Sequence, residues 1–233
     1  MYKSIFISDI HLGSKYSKSE YLFNLLESIE SEKIFLVGDI INNIPEPQKH
    51  PDIINFIKLI NSKPWDIIYI EGNHEEDKNR LSPVSLSFGK ELFPIHNYIY
   101  DNGKQKIYIE HGHDFHKTNI INIILQKIAV YLKFRKDKKG KKRVKKGSKR
   151  KSFYNKIMKP LAQKVLIYSF QSYIVSTTKK RGCSVAICGH FHVPQDKYIK
   201  TIRYLNCGDW IENSSYIIED MNGDFSLINA TSP

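Results

Sequence analysis

Residues 2–14 read YKSIFISDIHLGS, an apolar run that ends in an acid and an imidazole two positions apart, Asp9 and His11. Ile5, Phe6 and Ile7 suit a strand buried on both faces. Because the side-chain period of an extended backbone is two, Asp9 and His11 fall on one side of the chain. The same layout occurs at four further places. Lys33–Val37 (KIFLV) runs into Gly38-Asp39, and Asp66–Glu71 (DIIYIE) into Gly72-Asn73-His74-Glu75. Lys106–Glu110 (KIYIE) runs into His111-Gly112-His113, and Ser184–Cys188 (SVAIC) into Gly189-His190-Phe191-His192. Apolar residues at three- and four-residue spacing predict helices over Ser19–Ile29 and Asp52–Ile60. Strand, helix, strand in alternation predicts parallel strands in a layered α/β domain. In open sheets of that kind ligands bind beyond the carboxyl ends of the strands, where all five polar clusters lie.

The rest of the chain bounds the reading. Its 233 residues suffice for one domain, residues 1–233, with a sizeable core. No run of about 18 apolar residues exists to span a bilayer, and the start has no signal-peptide layout. Three scattered cysteines, Cys183, Cys188 and Cys207, make no disulfide framework and fit a reducing compartment. The expected location is therefore cytoplasmic. The net charge of +12 is local: residues 133–151 hold thirteen Lys and Arg against the single acid Asp137, and the remainder is neutral.

After residue 114 the pattern changes. Residues 118–134 (TNIINIILQKIAVYLKF) are strongly apolar at helical spacing, the cationic segment follows, and Pro160–Thr177 again reads as an amphipathic helix opened by proline. Residues of about 115–180 are read as a helical insertion between two core strands. Short strand-like runs close the chain at Tyr198–Leu205, Ser215–Glu219 and Phe225–Ile228, with Asn222-Gly223 as a hairpin turn between the last two.

Taken singly, each polar cluster has an ordinary reading, since Gly-Asp and Gly-Asn-His are common turns and Asp-x-His can cap a helix. Together they gather carboxylates and imidazoles at one edge, where unpaired polar groups need a ligand to satisfy them. Carboxylate and amide oxygens with imidazole nitrogens are the donors that first-row divalent ions take.

The set Asp9-x-His11, Gly38-Asp39, Gly72-Asn73-His74-Glu75, His111 and Gly189-His190-x-His192 resembles, in order, the pattern of the calcineurin-like metallophosphoesterase superfamily. The likeness covers residue 4 to about 210. It implies a four-layer α/β/β/α sandwich with a helical cap, and two divalent ions; Mn²⁺ fits the mixed imidazole and carboxylate donors, with Fe, Zn, Mg or Co as others. It also implies that Asp9, His11, Asp39 and His192 hold one ion, and that Asp39, Asn73, His111 and His190 hold the other, with Asp39 bridging. His74 would give a proton to the leaving oxygen of a phosphoester. Asp209 and Trp210 are read as structural support, His113 as a neighbour of the site, and His50, His96 and His116 as ordinary histidines.

Within that superfamily the runs Ser8–Ser14, His111–Phe115, Cys188–His192 and Asn206–Glu212 resemble the UDP-2,3-diacylglucosamine diphosphatases of lipid A synthesis, as does a helical insertion before the last histidine pair. The chain departs from that group at His74, where the well-known members carry arginine. The resemblance implies cleavage of the pyrophosphate bond of a nucleotide-linked lipid. The alternatives are a general phosphodiesterase, nuclease or phosphatase, and a non-catalytic binding module. An apolar helix followed by a polybasic run, residues 119–151, suits peripheral attachment to an anionic membrane on its inner face. A solvated loop and binding of nucleic acid are the other readings, but residues 135–152 contain no aromatic side chain for base stacking.

Overall fold

The structure, a computed structural model, describes residues 1–75, 94–118 and 159–230. The apolar stretch at 119–134 and the cationic segment lie outside the described residues. Two compact units are formed by Met1–Gly112 with Ile174–Pro233 and by His113–Tyr173. The candidate site lies wholly in the first.

The first half of that unit follows the alternation seen in the sequence. Strand β1 (Tyr2–Ile7) leads to helix α1 (Ser19–Ser28), β2 (Ser31–Val37), a 3-10 turn (Pro47–Lys49), helix α2 (Pro51–Ser62) and β3 (Asp66–Ile70). Pro51 opens α2, and the His50 side chain accepts the Asp52 N–H at 3.3 Å. A second series comprises β4 (Asn97–Asp101), β5 (Lys106–Glu110), β6 (Val185–Cys188), β7 (Gln195–Ile199) and β8 (Ile202–Asn206). The short helix α3 (Phe115–Thr118) and the helix α4 (Lys159–Lys180) come between β5 and β6. Strands β9 (Ser215–Glu219) and β10 (Phe225–Asn229) then return to the first sheet.

The strands form two five-stranded sheets, in the orders β10-β9-β1-β2-β3 and β4-β5-β6-β8-β7. Within them β1-β2-β3 and β5-β6-β8 are parallel. One face of β1 and β2 supplies Ile5, Ile7, Ile34 and Leu36 to a core shared with Leu22 and Leu26 of α1 and Ile53, Phe56 and Ile60 of α2. The other face supplies Phe6 and Phe35 to a core shared with Ile107, Ile109, Val185, Ile187 and Leu205 of the second sheet. These strands are buried on both faces, which is why they read as unbroken apolar runs. Beyond the second sheet, Arg181 at the end of α4 lies over the buried Tyr108 ring, 6.0 Å from its centroid. Two five-stranded sheets packed face to face, with α1 and α2 on the outer face of the first, match the expected α/β sandwich.

Two strand readings are corrected. Tyr198–Leu205, expected as one strand, is divided between the antiparallel β7 and β8, which turn at Lys200 with φ +56°. The strand β4 has no counterpart in the sequence reading. Both β7 and β4 are edge strands, mostly exposed, and Tyr100 is the only buried residue of β4. Such strands bury too little apolar surface to display a pattern. The hairpin at Asn222-Gly223 is present, with Gly223 at φ +82°. No described helix is long and apolar enough to cross a membrane.

Phe6 is fully buried, stacks on Phe35 with ring centroids 4.5 Å apart and meets the edge of Phe225 at 5.9 Å. Phe6→Ala is expected to lower unfolding free energy by about 3–5 kcal/mol, read from the urea midpoint. A loss under about 1 kcal/mol would contradict the two-sheet core.

Candidate metal centre

The parallel strands of both sheets end together, and each is followed by a turn that carries donors. Asp9 and His11 follow β1, Asp39 follows β2, Asn73 and His74 follow β3, His111 follows β5, and His190 and His192 follow β6. Beyond the strands the backbones of these turns bind one another: Asp9 N donates to Gly38 O at 3.0 Å and His11 N to Asp39 O at 3.0 Å. The turns are sharp. Asp9, His11, Asp39, His190 and His192 all have φ between +52° and +71°, a region non-glycine residues rarely enter. These five are most of the eight non-glycine residues with positive φ among those described. Left-handed backbone of this kind concentrates where function over-determines it. Two glycines admit the close approaches. A Cβ at Gly72 would collide with the Asp39 amide nitrogen and carboxylate, and one at Gly189 with the Asp9 carboxylate and Ser8.

Three groups of donors result: Asp9, His11 and His192; His11, Asp39 and His74; and Asp39, His111 and His190. Within each, the donor atoms lie within 4.8 Å of one another. His192 Nε2 is 3.2 Å from Asp9 Oδ1, and His11 Nε2 is 3.9 Å from that oxygen and 4.0 Å from Asp39 Oδ2. The same Asp39 oxygen lies 3.4 Å from His111 Nε2 and 3.8 Å from His74 Nε2. Donors each about 2.0–2.2 Å from a shared ion stand about 3–4 Å from one another, so these separations fit. His11 Nε2 is buried with no hydrogen-bond partner among the described residues, as suits a lone pair kept for an ion. Asp39 belongs to two of the groups. Asn73 lies on the Gly72–Glu75 turn and is exposed.

Charge explains the protonation pattern. Asp9 and Asp39 are buried carboxylates. Burial works against an imidazolium at His111, yet the Asp9 and Asp39 carboxylates push it up to about 9. Burial also opposes charge on His192, but hydrogen bonds to Asp209 and Asp9 raise it to about 10. Burial would raise the Asp39 carboxyl, but His111 and the backbone N–H of His74 hold it well below the usual range. At His11 burial dominates and lowers the pKa, leaving a neutral imidazole. The site therefore demands positive charge, which a divalent ion held by these residues would supply in place of the imidazole protons.

Outer partners aim the rings. His111 Nδ1 pairs with Val37 O at 2.9 Å, which turns Nε2 to Asp39. His192 Nδ1 pairs with Asp209 Oδ2 at 2.9 Å, which turns Nε2 to Asp9. Asp209 also takes three backbone N–H groups, from Ile211, Glu212 and Asn213, and its pKa is lowered to about 2: burial opposes, while His192 and these donors prevail. His74 N donates to Asp39 Oδ1 at 2.9 Å, and its Nδ1 accepts the Asn43 N–H at 3.4 Å. His50 caps α2 and His96 pairs with Glu71 at 2.8 Å, so neither joins these three groups. All three cysteines are buried and free.

One participant carries no role in the sequence reading. Glu75 closes the Gly-Asn-His-Glu cluster, but its carboxylate faces inward and takes backbone N–H groups from the Asp39 and Gly72 turns. Sequence shows only that an acid follows His74. Partners that are backbone groups leave no residue signature.

Comparison with known proteins follows the same line. Residues 2–194 match the family described as calcineurin-like phosphoesterase. Among solved structures the chain is similar to an archaeal phosphodiesterase, with 14% identity over 97% of this chain and 99% of that one and a TM-score of 0.54. It is also similar to Vps29 of Chaetomium thermophilum, with 10% identity over all of both chains and a TM-score of 0.52. A single mutant of Vps29 from Entamoeba histolytica gives 11% identity over 98% and 99% and a TM-score of 0.51. At these identities the likeness is one of fold. No curated protein matches the chain.

Ions that bind only the native state raise its stability, by about 2.7 kcal/mol at a hundred times the dissociation constant. Adding Mn²⁺ to chelator-treated protein is expected to raise its melting temperature, and Asp39→Asn to remove most of that rise. An equal rise in the variant would contradict a site built on Asp39.

Proposed function

The chain belongs to the calcineurin-like phosphoesterase family of metal-dependent phosphoester hydrolases, and on that premise we propose that it cleaves the pyrophosphate bond of a nucleotide-linked lipid. The substrate proposed is UDP-2,3-diacylglucosamine, and the products are 2,3-diacylglucosamine 1-phosphate and UMP. The observation that carries the chemistry is the sharing of Asp39 between two donor groups, one with His11 and His74 and one with His111 and His190. Asp9, His11, Asp39 and His192 are the proposed ligands of one ion, and Asp39, Asn73, His111 and His190 of the other. Two bound ions, Mn²⁺ by preference, supply an activated water and neutralise phosphoryl charge.

The chain's own groups then have separate tasks. Asp39, held by the His74 N–H and facing His111, keeps the two ligand sets in register. Asp209 fixes the tautomer and direction of His192. His74 is half-buried on the turn that touches Asp39, with Nδ1 engaged by the Asn43 N–H and Nε2 directed to the site. We assign it proton donation to the leaving oxygen, a step worth about 10²–10⁴ in rate.

The lipid assignment rests on the runs Ser8–Ser14, His111–Phe115, Cys188–His192 and Asn206–Glu212. A substrate bearing acyl chains resides at a membrane, and the charge of residues 133–151 supports attraction to an anionic inner surface, about 1 kcal/mol per nearby basic residue. A second reading, a phosphodiesterase for non-lipid substrates, is favoured by His74 itself, since Gly72-Asn73-His74-Glu75 is the general form of the superfamily.

Hydrolysis is measured with Mn²⁺ and detergent on UDP-2,3-diacylglucosamine and on bis-p-nitrophenyl phosphate. The wild-type protein is expected to turn over both, and His74→Ala to lower kcat about 10²–10⁴ while keeping its metal. Turnover of the small diester alone would refute the lipid assignment. Turnover of neither would refute the enzymatic reading, as would an undiminished rate in His74→Ala for the role of His74.

A further inference from the structure

Asp39 stands in a left-handed conformation, φ +52°, directly after Gly38 at φ +77°. Successive backbone N–H groups after such a bend converge on one point and form an anion-binding concavity. The anion that fills it belongs to the chain. Glu75 Oε2 accepts from Asp39 N at 3.0 Å and Gly72 N at 2.8 Å, while Oε1 accepts from Ile40 N at 2.7 Å and Ile41 N at 3.1 Å. The carboxylate is buried and lies behind the Asp39 turn, with four backbone donors on its two oxygens.

Three of these bonds join two turns that are about 35 residues apart in sequence, and the fourth, from Gly72 N, closes the second turn on itself. One turn carries Asp39, and the other carries Asn73 and His74. We propose that Glu75 is the positioning residue of the centre: it holds the bridging carboxylate in its left-handed turn and at the same time fixes His74 against it. The proposal rests on the two-ion reading above. Glutamine tests it sharply. Each Glu75 oxygen accepts two N–H groups, so whichever way a glutamine amide is turned its NH₂ faces two donors. Neither rotamer restores the set. Aspartate keeps the charge but is one methylene short of the four donors.

The test uses the full chain, with Mn²⁺ as the probe. Bound metal is counted by equilibrium dialysis, and the magnetic coupling of the Mn²⁺ pair is read by electron paramagnetic resonance. Asp39→Asn is run beside Glu75→Gln, and Glu75→Asp is run in parallel so that the outcome does not hang on the folding of one variant. Loss of an outer partner of a metal ligand costs about 10–100-fold in affinity. Glu75→Gln and, less severely, Glu75→Asp are expected to weaken Mn²⁺ binding by that factor in folded protein. They are also expected to replace the coupled signal by that of isolated ions, and to lower kcat at saturating Mn²⁺ with KM little changed. A purely structural role would lower thermal stability and leave the coupled signal intact. That result, with Asp39→Asn losing metal as expected, would overturn the proposal alone. Unchanged metal binding in Asp39→Asn would overturn the two-ion reading beneath it.

Discussion

The burial of two carboxylates at one sheet edge sets the conditions for the rest of the site. Asp9 is fully inaccessible and Asp39 nearly so. Two such charges in a region of low dielectric repel each other and have lost their hydration, which is costly unless positive charge or many donors stand close by. The surroundings meet that demand in layers: imidazoles face the carboxylates, and backbone N–H groups of His74 and His190 take their other oxygens. In the proposed arrangement a divalent ion on either side of Asp39 would complete the balance, and the same concentration of positive charge would receive a phosphoryl group.

The fold makes that arrangement attainable. A parallel sheet puts the carboxyl ends of successive strands at one edge, and two such sheets packed through Phe6 and Phe35 bring the ends of β1, β2 and β3 beside those of β5 and β6. The donors then have to turn inward within two residues. The left-handed backbone at five of them costs about 1–3 kcal/mol each if unsupported. The bonds between neighbouring turns, Asp9 to Gly38, His11 to Asp39 and Trp210 to Asp9, provide the support. Rigidity at the site is thus a property of the paired turns, and the cores beneath fix where those turns start.

What could be read from the sequence follows from which kind of partner each residue has. Asp9, His11, Asp39 and the histidine pairs stood out because carboxylates and imidazoles are distinctive side-chain types and the strand period fixes their spacing. Core strands stood out because both faces are apolar. Glu75 did not declare its role, since it binds backbone groups that every residue possesses. Asp209 gained a defined role only when β8 placed it beside His192, 17 positions earlier in the chain. Edge strand β4 escaped notice and β7 was merged with β8, because one polar face and one open edge leave little hydrophobic signal. Asn73, expected among the ligands, shares the turn with His74 but is exposed.

The central claim is that two ions flank Asp39. It is tested most directly by growing crystals with Mn²⁺ and locating the metal from its anomalous scattering. The account predicts two peaks, one among Asp9, His11, Asp39 and His192 and the other among Asp39, Asn73, His111 and His190, with the Asp39 carboxylate touching both. A single peak, or peaks that leave Asp39 uncoordinated, would contradict it.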